Sequence, residues 1–182
     1  MKLIIPLLVS SLLLQGCSLF MGEDEDYSKR TFGTRLNDQR VESYAIKNIR
    51  DANPQLDEAH VDVTSFNGTV LLTGQVPSEK LKKMAVESIE GIRHIKTIHN
   101  ELQVAGPTSL IARTNDNWLK TKVKSALGFS DEARASRIKV VVENGVVYLM
   151  GLLTRNEADS AVNVVQDVYG VQKIVKVFEY ID

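Results

Sequence analysis

The sequence predicts an α+β protein made of two tandem αββαβ units, each a small three-stranded sheet with two helices on one face. Three observations carry this. A segment recurs after 77 residues, an Asn-Gly pair sits at the centre of each copy, and helically spaced apolar residues flank each pair. The copies are Val61-Asp-Val-Thr-Ser-Phe-Asn67-Gly68-Thr-Val-Leu-Leu-Thr-Gly74 and Ile138-Lys-Val-Val-Val-Glu-Asn144-Gly145-Val-Val-Tyr-Leu-Met-Gly151. Asn-Gly between β-branched runs signals a hairpin, because both residues tolerate the positive φ of a type I′ turn. The alternation Val61, Val63, Ser65 and Val70, Leu72 predicts a single apolar face for the hairpin.

In chain order, residues 1–16 read as a secretory signal. Lys2 is followed by an uncharged run from Leu3 to Leu14, and then by Gln15-Gly16-Cys17. The run is shorter than the roughly 20 residues that cross a bilayer. A lone cysteine after a small residue fits a lipoprotein signal in which Cys17 is acylated, with palmitate-class chains, and becomes the new N-terminus. Gln15 departs from the small residue usual there. By resemblance to enterobacterial-type lipoprotein sorting, in which an Asp after the cysteine favours inner-membrane retention, Ser18 points to the outer membrane, facing the periplasm. More than one acyl chain makes such anchoring stable. Residues 17–37 read as anchor and flexible linker, with the acidic run Glu23-Asp-Glu-Asp26.

The first unit is expected over 38–104. A helix spans Asp38 to Arg50, the hairpin follows, and Ser78 caps a second helix through Leu81, Met84, Ala85 and Ile89 that Gly91 stops. Ile95 to Leu102 closes the sheet. Residues 105–112 form a short linker and 113–182 the second unit. There a helix spans Asp116 to Leu127. Thr154 and Glu157 make a capping box for the helix that Gly170 ends, and Ile174 to Tyr180 is the last strand. Each unit is near the lower size limit for an independent core, so the two are expected to pack together.

A net charge of −1 and a pI near 6.3 give no footprint for nucleic acid. No catalytic set stands out, no cofactor motif is present, and His60, His94 and His99 lack metal-ligand spacing. His60 is expected at the solvated surface, and Asp57, Glu58 and Asp62 read as a polar rim. The expectation is a non-enzyme.

The hairpins with their trailing Gly74 and Gly151, and the closing Gly170-Val-Gln-Lys-Ile-Val175, resemble the BON domain, a bacterial periplasmic module. With the signal and two copies, the whole chain is similar to dual BON-domain outer-membrane lipoproteins. The stretches Asn115–Ser125 and Glu143–Thr154 carry that likeness most closely. The resemblance implies binding of anionic phospholipid such as phosphatidylglycerol through the first helix of the second domain. The matching residues are Trp118, Leu119, Lys120, Lys122, Lys124 and Leu127. It further implies support of envelope integrity, enrichment at division sites and an influence on the outer-membrane protein assembly machinery. An alternative is a periplasmic adaptor or chaperone that grips envelope proteins, with lipid contact incidental.

On a helical wheel Leu119, Val123, Ala126 and Leu127 form the core face, with Trp118 at its edge. At the 77-residue offset Trp118 aligns with Val41, a core position. From residues alone, two readings of the indole therefore stand: packing in the core or between units, or seating at a lipid interface. Phe129, just past the helix, is either a second apolar wedge or buried.

Overall fold

A computed structural model of the chain describes residues 31–106, 110–130 and 133–181. The signal, Cys17 and the acidic run lie outside the described residues, as do 107–109 of the expected linker.

Helix α1 runs Phe32–Ala52, starting before the expected Asp38 because Thr31 caps it, its hydroxyl accepting the Thr34 N–H at 3.1 Å. A short helix α2, Pro54–Asp57, follows with proline in its first turn. Strands β1 (His60–Phe66) and β2 (Thr69–Val76) pair antiparallel across a type I′ turn, with φ of 53° at Asn67 and 82° at Gly68. Helix α3 (Glu79–Glu87) is capped by Ser78 as expected. Strands β3 (Thr97–Asn100) and β4 (Gln103–Val104) both run parallel to β2 in one continuous register. They are a single strand interrupted at Glu101 and Leu102, so four segments stand where three strands are expected.

The second unit repeats the plan. Helix α4 is Leu110–Gly128, starting inside the expected linker, and a 3-10 turn at Ala135–Arg137 leads into β5 (Ile138–Glu143). The hairpin continues into β6 (Val146–Leu153), then α5 (Arg155–Gln166) and β7 (Lys173–Tyr180). Each sheet has its second strand in the middle, antiparallel to the first and parallel to the last. The Thr154–Glu157 capping box is present. Helices α3 and α5 stop short of Gly91 and Gly170. The positive φ falls at His94 (75°) and Gly170 (103°), where the chain reverses into the last strand.

One carboxylate in each unit ties the first helix to the hairpin. Asp38, buried on α1, accepts the N–H groups of Asn67 (3.0 Å) and Gly68 (3.1 Å) and the Ser65 hydroxyl (2.8 Å). Asp116, buried on α4, accepts those of Asn144 (2.8 Å) and Gly145 (2.9 Å). The tight turn has no other way to satisfy these donors once the helix covers it. From Asp to Asn the spacing is 29 residues in the first unit and 28 in the second. The helices therefore align at an offset of 78, not 77, and Val41, Ala45 and Ile49 match Leu119, Val123 and Leu127, all buried. Trp118 takes the place of exposed Arg40. The expected alignment with Val41 is corrected, since one residue turns a helix by about 100°.

The trailing glycine has a steric cause. A Cβ on Gly74, at φ 117°, would lie 2.0 Å from the His60 carbonyl oxygen, and one on Gly151 would lie 2.9 Å from that of Arg137.

The sheets are apolar on both sides, which corrects the single-face expectation. Under the helices, Val41, Ile49, Val70 and Leu72 build one core, and Leu119, Val123, Val147 and Leu149 the other. On the reverse faces Phe66, Leu71, Tyr148, Met150 and Val177 form a third core between the units, giving a helix–sheet–sheet–helix stack. Burying each large side chain there stabilises the pairing by about 1.5–3 kcal/mol. Polar ties edge this seam. Lys139 Nζ donates to Glu42 Oε1 (2.7 Å) and Ser65 O (3.2 Å), Asn67 Nδ2 to Glu179 Oε2 (2.8 Å), and Gln75 Nε2 to Glu143 Oε1 (2.6 Å). His60 faces the same seam and its side chain is only 19% exposed, so the expected solvated surface position is also corrected. Adding the second unit covers it.

Two outcomes follow from this packing. Gly74→Ala should cost on the order of 3 kcal/mol or prevent folding, read as a lowered urea midpoint, because backbone must move. Burial, with Glu101 and Glu143 adding, pushes the Tyr148 phenol up to about 12 from 10. The unfolded chain thus loses this proton first, and stability complete below pH 10 should drain away as pH climbs towards 12. Urea midpoints across that window should fall less in Tyr148→Phe than in wild type.

Candidate functional site

Helix α4 presents its residues by the register that Asp116 fixes. Leu119 and Leu127 are buried at 1%, so they belong to the core and are withdrawn from the expected contact set. Trp118 is 60% exposed, which excludes both core and interdomain packing of the indole. Phe129, held by its N–H to Ser125 O at 3.1 Å, is 90% exposed and stands three turns along the same stripe.

The lysines divide between two flanks. Lys122, one turn after Trp118, places Nζ 3.8 Å from the centroid of the indole and 5.4 Å from that of the Tyr169 ring. The same ammonium donates to the Tyr169 carbonyl oxygen. A cation over an exposed ring contributes about 0.5–1 kcal/mol, enough to bias the indole's rotamer. Lys120 lies about 200° round the helix from Trp118 and faces the first unit. Burial lowers its pKa, as do Lys124 and Lys139, while Asp62 opposes the shift. Lys124 is exposed on that second flank. The expected set is thus not one face: Trp118 and Lys122 share a surface, and Lys120 and Lys124 do not join it.

Sequence reasoning missed Tyr169. It is 89% exposed in the turn after α5, beside Lys122, and so completes an aromatic–ammonium–aromatic cluster. Its distance of 47 residues from Lys122 leaves no local signal. The first unit has no such cluster. Arg40 replaces the indole and Tyr44 the lysine, at the 78-residue offset.

Such a surface has two uses at once. Indole and phenol rings seat at a lipid–water boundary, where the apolar body is buried and the polar tip stays wet. An ammonium between them keeps two further donors for a phosphate. Among the described residues no helix is long and apolar enough to cross a membrane.

The chain matches the BON domain over residues 37–106 and 115–182. It belongs to the BON domain family. Both BON units carry the αββαβ plan described above. The chain is 34% identical to "Outer membrane lipoprotein DolP" of Haemophilus influenzae, an alignment that covers 100% of this chain and 97% of that protein. It is 33% identical to "21 kDa hemolysin" of Actinobacillus pleuropneumoniae, over 84% of this chain and 78% of that one. It is 22% identical to "Osmotically-inducible protein Y" of Escherichia coli, over 84% and 77%.

The division between core and surface on α4 predicts opposite stability effects for adjacent residues. Leu119→Ala should cost about 2–5 kcal/mol in urea denaturation. Trp118→Ala should stay within about 1 kcal/mol, the worth of its contact with Lys122.

Proposed function

We propose that this protein is an outer-membrane lipoprotein, tethered in the periplasm-facing leaflet through acylated Cys17, that docks its second BON domain on anionic phospholipid. One observation carries the reading: the exposed Trp118 and Tyr169 flank the Lys122 ammonium on a single surface. The rings supply partition into the interface and Lys122 supplies a phosphate partner. Phe129 extends the apolar stripe. Lys120 and Lys124 add long-range attraction of roughly 1 kcal/mol each near a negative leaflet, without touching it. The full-length likeness to a protein named as an outer-membrane lipoprotein supports the location.

Anchor and docking surface act as two linked contacts. The anchor raises the local concentration of the cluster, so weak docking suffices to enrich the protein where anionic or curved lipid collects, as at division sites. Maintenance of envelope integrity would follow from that placement. An effect on the outer-membrane protein assembly machinery would be exerted from the same docked state.

The test uses the chain from Ser18 onward, which carries neither the apolar leader nor an acyl group, with phosphatidylglycerol and phosphatidylcholine vesicles. Wild-type surface should co-sediment with the anionic vesicles and show a blue shift of its one tryptophan. Trp118→Glu should lower binding at least tenfold, the loss of about 1.4 kcal/mol or more, and Lys122→Ala about fivefold. Unchanged binding in Trp118→Glu would overturn the reading in favour of a protein adaptor.

A further inference from the structure

Three ligand-bearing side chains, two from one strand and the third from the other domain, meet at the seam between the BON domains. His60 and Asp62 come from β1 of the first domain and Glu143 from β5 of the second. His60 Nε2 lies 3.6 Å from Asp62 Oδ2 and 3.6 Å from Glu143 Oε2. The three ligand atoms fall within 4.8 Å of one another. We propose that they form a zinc-class divalent cation site that clamps the two domains together.

The geometry fits the ion without rebuilding the fold. Zinc bound tetrahedrally at about 2.0–2.2 Å from nitrogen and oxygen holds its ligands roughly 3.3–3.6 Å apart. Two of the three separations are already there, and the third closes by rotation of Asp62, whose side chain is 64% exposed. That exposed side leaves the fourth position to water. Glu143 is pre-set for the role. Gln75 Nε2 holds its Oε1 at 2.6 Å, which turns Oε2 towards the imidazole, as outer partners commonly orient metal ligands.

Charge argues the same way. Glu143 is 8% exposed, and its carboxylate and that of Asp62 converge on one imidazole, with the Lys120 ammonium acting on Asp62 alone. A divalent ion neutralises both. One imidazole beside two carboxylates suits zinc better than calcium or magnesium, which prefer all-oxygen sets. The sequence offered no spacing for this because Glu143 reaches the other two only when the sheets stack.

The test is zinc titration of tag-free full chain in detergent, followed by calorimetry and thermal unfolding, with cobalt as a spectroscopic probe. Wild type should take up one Zn²⁺ per chain saturably, unfold at higher temperature with it, and give the intense visible bands of tetrahedral cobalt. His60→Gln, Glu143→Gln and Asp62→Asn should each weaken uptake at least tenfold. His94→Gln and His99→Gln should leave it unchanged. Calcium and magnesium should not compete. Asp62→Asn keeps the test open if Glu143→Gln fails to fold, since Asp62 is largely exposed. Absence of saturable uptake, or uptake indifferent to both His60→Gln and Asp62→Asn, would overturn the proposal.

Discussion

A buried aspartate on the first helix of each unit, accepting the amides of a type I′ turn, is the constraint from which the rest of this structure follows. The turn brings two adjacent N–H groups to a point that the helix seals from water. Leaving them unpaired would cost about 1–3 kcal/mol each. The carboxylate therefore fixes both how far the helix slides along the sheet and how it is rotated. Rotation decides which residues of α4 enter the core and which face out. Trp118 is outside because Asp116, two residues earlier, is inside.

Duplication with divergence then supplies the division of labour. Both units use the same aspartate, the same turn and matching core triplets on the first helix. They bury the reverse faces of their sheets on each other, so neither hairpin face is free to work. What remains open is the outer surface of the helices and the turn after α3 or α5. In the second domain those two places carry Trp118, Lys122 and Tyr169, whereas in the first they carry Arg40, Tyr44 and Arg93. One scaffold thus presents two different surfaces, with two rings and one cation in the second domain and two cations and one ring in the first.

Local signals made much of the fold legible in the sequence. The Asn-Gly turns, the Ser78 cap and the Thr154–Glu157 capping box each depend on neighbours a few residues apart. What was not legible depends on partners brought together only by folding. Leu71, Tyr148 and Met150 break the simple alternation because a second sheet covers them. Asp38 and Asp116 look like ordinary helix-start acids until the turn arrives above them. The missing residue between α4 and its hairpin is invisible when the repeat is aligned on the hairpins alone, and it moved Trp118 from an apparent core position to the surface. Tyr169 and the His60–Glu143 meeting were hidden for the same reason.

The account stands on one carboxylate per domain holding a turn that would otherwise be solvated. Hydrogen exchange at the Gly68 and Gly145 amides measures this directly. The account predicts exchange as slow as that of the central strands β2 and β6, limited by unfolding of the domain. Exchange at the rate of an open hairpin turn would contradict it, and would remove the reason for Trp118 to face outward.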